Sequence, residues 1–447
     1  MLNCFLLEME NSMWLKRGIG EDKRWFYPIT AFTTGVIITV NALWTMFYPY
    51  IQTHFGLDTT ASIVLAATFM GIGSMILGPP IAGIILDKYG PKINFILSAA
   101  FLACGHILIA QMLKLTDWST AMYYWYIGSL FIGIGTGFFS GSHTATVGKW
   151  FPDKTGTAMG LAVAGAGTGT IIYSPLVAAY IRANGFNSNI FLFFAVLSAA
   201  VMLFIMVPFW RSPDHNWLPK SMKEKMPAAG AAPIGKDYTF EEATKDKRFW
   251  IMGGCFLCAA FSLMFFTQNV TLIIIEGLSS NLLAEEILTK VIPLFLTIQA
   301  ASGLIGRFSW GVISDKLGGP WKTLWIVYFV PAVLMGMFYL GYKSVILIYI
   351  IGFLFFFFSG GEPVIHYAIV PYVFGRRHLG KIMSTVNAFS VGIGVASGPF
   401  IGAYIKDITG GYVLALVLAI VIRLSGTGLA IYGMKVDEKK RLKELVD

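Results

Sequence analysis

The chain is 447 residues long, 56% hydrophobic and only 13% charged, with a formal net charge of +9. A soluble domain carries roughly twice that charged fraction, so an ordinary soluble fold is excluded. The positive charge is not a nucleic-acid signal either, because it is scattered among the ends of long apolar runs rather than gathered into one basic patch.

Twelve such runs follow one another. They begin near Trp25, Thr60, Ile93, Met122, Thr157, Asn189, Trp250, Glu286, Thr323, Ser344, Lys381 and Tyr412. Two of them, Asn94 to Leu113 and Asn189 to Phe209, hold no Asp, Glu, Lys or Arg. About 20 apolar residues cross a bilayer as a helix. Backbone groups cannot stay unbonded in lipid, so helices are the natural form of these runs. An all-α membrane protein with twelve transmembrane helices is therefore expected.

Residues 1–24 read as a cytoplasmic N-terminus. Their first stretch is apolar but holds Glu8 and Glu10 and no basic cluster, so no cleavable signal peptide is expected. Met13 offers a second possible start. Residues 25–210 form a first six-helix bundle, 211–248 a linker, 249–434 a second bundle, and 435–447 a cytoplasmic tail. The linker carries Pro227-Ala-Ala-Gly-Ala-Ala-Pro233 at its centre and eight basic residues. With the N-terminus placed inside, cytoplasmic segments hold 26 of the 33 Lys and Arg. The external edges hold five, Lys114, Arg182, Lys290, Lys343 and Lys406, and the remaining two, Arg307 and Arg423, lie within runs. That bias obeys the positive-inside rule and puts both termini in the cytoplasm. Cys255 and Cys258 have C-x-x-C spacing, but an apolar helix gives them neither redox nor zinc context, so a structural role is expected. No metal site or cofactor is expected, and no ATP site is evident.

The two halves repeat. After the second run the chain reads Gly83-Ile-Ile-Leu-Asp87-Lys88-Tyr-Gly90, and after the eighth Gly311-Val-Ile-Ser-Asp315-Lys316-Leu-Gly318, at an offset of 228 residues. Duplicated bundles around a central pathway are the expected meaning. Gly is expected to let helix ends approach closely, Asp to accept hydrogen bonds from a neighbouring helix N-terminus, and Lys to anchor the turn at the lipid surface. The duplicated G-x-x-x-D-[RK]-x-G loop resembles the signature of the major facilitator superfamily, from the first helix to the twelfth. The resemblance implies two pseudo-symmetric six-helix bundles that alternate between inward-open and outward-open states.

A second segment, Lys149-Trp150-Phe151-Pro152-Asp153-Lys154 followed by Gly156, Ala158, Gly160, Ala162, Ala164 and Gly165, resembles the opening of helix five in monocarboxylate transporters and oxalate/formate antiporters. Phe374-Gly375-Arg376-Arg377 echoes it in the second half. Helix one, with Trp25, Gly35, Asn41 and Trp44, looks closer to the oxalate/formate group and lacks the D-G-G-W-G-W opening of animal monocarboxylate carriers. A prokaryotic member between these groups, in the plasma membrane, is the resulting expectation. The strings Gly133-x-Gly135-x-Gly137 and Gly165-x-Gly167-x-Gly169 lie in apolar helices with no preceding strand, so they read as packing surfaces and not as nucleotide loops.

Charges inside the runs point to a site. Arg307 lies eight residues before Asp315, about 12 Å up helix eight and near the middle of a core ~30 Å thick. A rigid forked cation that cannot lose its proton suits a carboxylate, and the resemblance implies the same role for a helix-eight arginine. Arg423 in helix twelve is expected to be structural or to snorkel. Glu362 precedes Pro363 in helix ten, and His366 follows one turn later. Both are proton-coupling candidates, with His143 in helix four a weaker one and His106 in helix three weaker still. Pairing of Glu362 with Arg307 or Arg423 is the competing reading. Asn41, Trp44, Tyr124, Gln299, Tyr367 and Asn387 are candidates to line an apolar-walled pocket with a few polar groups.

Two departures from the relatives matter. The second basic residue of oxalate-type antiporters in helix eleven is missing, since none lies between Lys381 and Lys406. One fixed cation matches one carboxylate, which favours lactate, pyruvate, acetate or formate over a dicarboxylate. Animal monocarboxylate carriers place an acidic residue four positions before their arginine, where this chain has Gly303, so their proton site does not carry over. The expected function is proton-coupled symport of a small monocarboxylate, by a carrier and not an enzyme. Its partners would be the anion, protons and the bilayer. The alternatives are an organic anion antiporter of the oxalate/formate type and a carboxylate receptor that does not transport.

Overall fold

A computed structural model describes residues 18–38, 43–213, 217, 219, 238–375 and 378–446. The described chain is all-helical. In the first crossing two helical segments are described, α1a (Phe26–Ile38) and α1b (Trp44–Phe55). There follow α2 (Ala61–Tyr89), α3 (Pro91–Met112), α4 (Trp118–Trp150), α5 (Thr155–Asn184) and α6 (Asn189–Phe209). The second half holds α7 (Lys247–Leu278), α8 (Ala284–Lys316), α9 (Pro320–Gly341), α10 (Val345–Phe374), α11 (Lys381–Thr409) and α12 (Val413–Val446).

Among the described residues, ten helices are long and apolar enough to cross a membrane. The other two expected crossings fall on α1a with α1b, and on α4, where Gly, Ser, Thr, Tyr and Trp dilute the aliphatic content of a 33-residue helix. Large apolar side chains face outward, as at Leu340, which is 85% exposed, and Phe204, which is 74% exposed. Such outer faces suit lipid and would be a liability in water.

The helix ends have local causes. Asp117 caps α4 by accepting from the amides of Ser119 and Thr120. Asp246 caps α7 through the amide of Arg248. Pro91 and Pro320 open α3 and α9, where no backbone donor is needed. Gly90 (φ +77°) and Gly318 (φ +86°) end α2 and α8 in conformations that L side chains rarely adopt. This accounts for the last glycine of the repeated loop. The first glycine behaves otherwise than expected. A Cβ at Gly83 would meet nothing within 4 Å, and one at Gly311 only Val364 at 3.7 Å. The close helix contacts sit on the glycine strings instead. A Cβ at Gly133 would lie 2.2 Å from the Met70 carbonyl oxygen, and one at Gly165 2.1 Å from that of Phe32.

Contacts divide the chain into two units that do not simply follow its two halves. One comprises residues 1–42, 69–170 and 186–232, the other 43–68, 171–185 and 233–447. In the first unit, Arg24 grips Asp153 with two bonds of 2.7 Å and donates to the Trp150 carbonyl at 3.1 Å. Tyr27 stacks on Trp150, whose indole donates to the Arg211 carbonyl. The Trp150-Phe151-Pro152-Asp153 segment is thus an anchor for the start of α1a.

The second unit has a counterpart at the start of α7. Arg248 bonds Asp246 at 2.8 Å, Asp437 at 2.6 Å and the Tyr238 hydroxyl at 2.9 Å. Lys440 reaches Asp246 at 2.7 Å and Arg441 reaches Asp437 at 2.9 Å. Burial acts to raise the Asp246 carboxyl, but the hydrogen bonds from Arg248 and Lys440 outweigh it and bring it from 3.8 down to about 2. A carboxyl lowered on folding stabilises the protein above its unfolded value and loses that contribution as pH falls through the folded one. The thermal midpoint in detergent is therefore expected to drop between pH 4 and 2. Asp246→Asn should flatten that drop, and an acid profile identical to wild type would rule out this source.

Candidate functional site

Arg307 stands apart from the other cations of the second unit. It lies within α8, partly enclosed, and its Nη1 is buried with no hydrogen-bond partner. No hydrogen bond or ion pair joins it to any carboxylate among the described residues. A buried guanidinium has no route to neutrality, so its charge must be met by a ligand or remain uncompensated. Arg423, its rival, is 0% exposed and fully engaged on one edge. It donates to Glu362 and, at 3.1 Å each, to the carbonyls of Val327 and Tyr328. It does not snorkel, because α12 is held against α9 and α10 by those bonds. The expected alternative for Glu362 is resolved in favour of Arg423.

His366 belongs to the same buried group. Its Nε2 is 2.6 Å from the Tyr328 hydroxyl, and its ring stacks on Phe256 at 3.8 Å. Glu362 and His366 are thus brought together through Arg423 and Tyr328, in a network separate from Arg307. In the first unit, His143 is buried, bonded through Nδ1 to the Phe139 carbonyl one turn back at 2.9 Å, and stacked on Phe139. His106 repeats that arrangement with Leu102 at 2.7 Å.

The candidate pocket residues scatter in environment. Gln299 lies on α8 two turns before Arg307, and its Oε1 is buried without a partner. Trp44 opens α1b and is 0% exposed, edge-on to Phe47. Tyr367 on α10 is 63% exposed. Asn387, half-buried, begins a π-helical turn in α11 that runs to Val391. Such turns expose a backbone carbonyl that a regular helix would bond. Tyr124 is half-buried on α4. Asn41 lies outside the described residues. Of the repeated loop, Asp87 pairs with Lys149 at 3.2 Å, an exposed contact, while Asp315 is bonded through its backbone carbonyl, which accepts from the Gly318 amide.

A cavity of about 350 Å³ lies elsewhere, lined by Pro175, Arg182, Thr289, Lys290, Pro293 and Thr297. Both of its cations are already engaged, Arg182 with the Thr289 carbonyl and Lys290 with Glu286. The unmet charge is at Arg307, so that residue and not this groove marks the candidate site.

Three features escape a reading of the runs alone. The first is a joint at the end of the second unit remote from the repeated loop. The Asp407 carboxylate accepts from the amides of Thr60 at 2.8 Å and Ala61 at 2.6 Å, while Lys406 donates to the Thr60 hydroxyl. Thr45 bonds Thr271, Tyr48 bonds Gln268, and Ser174 donates to the Pro293 carbonyl. A carboxylate on the free amides of a helix start is a strong, charge-assisted contact. Asp407→Ala is expected to speed hydrogen exchange of the Thr60 and Ala61 amides at least about tenfold, given about 1.5–3 kcal/mol per such bond. Unchanged exchange would show that the joint contributes nothing. The second and third features are the Arg24 and Arg248 anchors. They did leave a signal, the repeat Asp22-Lys-Arg24-Trp-Phe26 and Asp246-Lys-Arg248-Phe-Trp250.

Apolar outer faces on long, Pro- and Gly-marked helices define a multi-span membrane protein. The chain belongs to the Major Facilitator Superfamily, whose model matches residues 30–361. It is 25% identical over 319 residues to the oxalate:formate antiporter of Oxalobacter formigenes, covering 70% of this chain and 69% of that one. It is 22% identical over 381 residues to monocarboxylate transporter 13 of Rattus norvegicus, covering 81% and 78%. Its fold matches the crystal structure of a bacterial homolog of the human lysosomal transporter Spinster with a TM-score of 0.66 at 14% identity, over 93% and 97% of the chains. The family and the all-helical multi-span architecture read from the duplicated loop are therefore established.

Proposed function

We propose that this carrier moves small organic anions bearing one carboxylate, of the lactate, pyruvate, acetate or formate class, and that Arg307 holds the carboxylate. The observation that carries the reading is the buried Nη1 of Arg307 with no partner in the described chain. The names of two relatives, an oxalate:formate antiporter and a monocarboxylate transporter, support small carboxylates as the substrate, with formate and the second name pointing to a single carboxylate. Binding of the anion neutralises the site and lets the bundles reorient, with both chain ends on the cytoplasmic side of a plasma membrane. Trp44, Gln299, Tyr367 and Asn387 of the same unit would complete the pocket.

Coupling has two readings. Proton symport would use Glu362, His366 or His143. Anion exchange is favoured by a specific observation: Glu362 is held by Arg423, and no described carboxylate is bonded to Arg307. An empty carrier would then have to reorient around a bare buried cation, at a cost of at least about 2.5 kcal/mol. Exchange avoids that step. Uptake of labelled lactate into proteoliposomes tests both. Transport that needs lactate inside and ignores an imposed pH gradient supports exchange, net uptake that follows the gradient supports symport, and no carboxylate transport at all rejects the proposal.

A further inference from the structure

Arg307 is not the only orphan on its helix. Five buried side-chain polar atoms without a hydrogen bond are described beyond residue 237, and three of them, Gln299 Oε1, Ser302 Oγ and Arg307 Nη1, fall within nine residues of α8. The other two are Trp321 Nε1 and Arg423 Nη1. Buried polar groups are nearly always satisfied, and an unsatisfied one needs an explanation. Three such atoms on one stretch of helix, one of them on an uncompensated cation, are what a polar ligand would satisfy.

The spacing says what the ligand is. Gln299, Gly303 and Arg307 are four residues apart, so they form one stripe along α8. Between the two polar residues the stripe carries no side chain, although α10 comes close at Gly360. A Cβ at Gly303 would meet a single atom within 4 Å, the Phe356 carbonyl oxygen at 3.8 Å. The Cα atoms of Gln299 and Arg307 are separated by about 12 Å of helix rise. Long helical side chains lean towards the N-terminus, so the guanidinium covers the turn at Gly303 and narrows the gap to Gln299. A ligand of a few carbon atoms would fit between a donor fork and an amide oxygen so spaced.

We infer that Gln299 is a second recognition group, accepting a hydrogen bond from a hydroxyl on the carried acid, and that the carrier selects short hydroxymonocarboxylates over their unsubstituted counterparts. The inference rests on Arg307 as the carboxylate site. Formate and acetate carry no hydroxyl and so engage Arg307 alone. An acid with a methyl in place of the hydroxyl leaves the Gln299 oxygen buried and unmet. Sites built to hydrogen-bond a hydroxyl discriminate strongly against an analogue that lacks it. Gly303 supplies the room, so a side chain there would crowd the ligand between its two contacts.

Lactate and propionate test this, because they share charge and carbon number and differ by one hydroxyl. The wild-type carrier in proteoliposomes is expected to take up lactate at least about tenfold faster than propionate at equal subsaturating concentration. In Gln299→Leu the lactate-to-propionate ratio is expected to fall about tenfold, while Gly303→Val slows both acids. Thermal unfolding of each purified variant checks that it is folded. A wild type that does not discriminate, or a folded Gln299→Leu carrier with the wild-type ratio, overturns the role of Gln299, and equal loss of both acids assigns it to structure. If Arg307→Ala abolishes both uptakes while the ratio is insensitive to Gln299, only the second group is wrong. If Arg307→Ala transports both acids normally, or the wild type carries neither, the anion site itself is wrong and the inference falls with it.

Discussion

Arg307→Ala is expected to lower carboxylate uptake at least about a hundredfold without destabilising the protein. The two halves of that expectation share one cause. A forked pair of charge-assisted bonds between guanidinium and carboxylate is worth about 3 kcal/mol, which corresponds to about a hundredfold in affinity. In the absence of ligand the same guanidinium is buried with Nη1 unbonded, so it costs the empty carrier free energy instead of contributing it. Alanine removes both the anion partner and the uncompensated charge. The apo variant should therefore unfold at the wild-type temperature or above, and should lose the rise in midpoint that a bound carboxylate gives by mass action. Arg307→Lys keeps a cation but loses the fork, so an intermediate loss of about tenfold is expected. Uptake and thermal unfolding of the three proteins decide it. An alanine variant that transports normally ends the role of Arg307, and one that fails to fold would make the residue a structural element.

Much of this was legible from periodicity and charge. Runs of apolar residues, their count and the duplicated Asp-Lys-x-Gly loop depend only on local sequence, which is why the helices and the family follow from them. Arg307 was legible because a cation midway along an apolar helix is conspicuous wherever it points. What local sequence cannot supply is the partner. Arg423 is as central in its helix as Arg307, and nothing near it announces that Glu362, 61 residues away, neutralises it. Asp407 follows Lys406 at the edge of a crossing, yet its bonds reach 347 residues back to Thr60. The grouping of residues 43–68 with the second half is likewise a product of long-range packing. The Arg24 and Arg248 anchors lie between these extremes. Their five-residue repeat is visible, but the meaning of a repeated arginine becomes clear only once Asp153 and Asp437 are seen beside it.

Glu362 should show the opposite balance to Arg307. Its carboxylate is 3% exposed and meets the fully buried Arg423, which is also held by the Val327 and Tyr328 carbonyls at 3.1 Å. Those neutral acceptors fix the guanidinium in place but do not cancel its charge. Glu362→Ala would leave an uncompensated cation where α9, α10 and α12 meet, and removal of one partner of a buried pair costs about 3–5 kcal/mol. The variant is expected to unfold at a much lower temperature, with loss of transport following from that instability. Arg423→Met strands the carboxylate instead and should be similarly damaging. The double variant Glu362→Leu with Arg423→Met removes both charges and should recover more than half of the lost stability, because a well-packed apolar pair can replace a buried ion pair. This separates a structural pair from a proton carrier. If Glu362 relays protons, Glu362→Gln will fold like wild type and transport without responding to a pH gradient, and the double variant will not recover that response. If the pair is structural, Glu362→Gln will lose stability first, and the recovered double variant will exchange anions as wild type does. Arg307 and Arg423 are then told apart by experiment as they are by their neighbours: one loses transport and keeps its fold, the other loses its fold and transport only as a consequence.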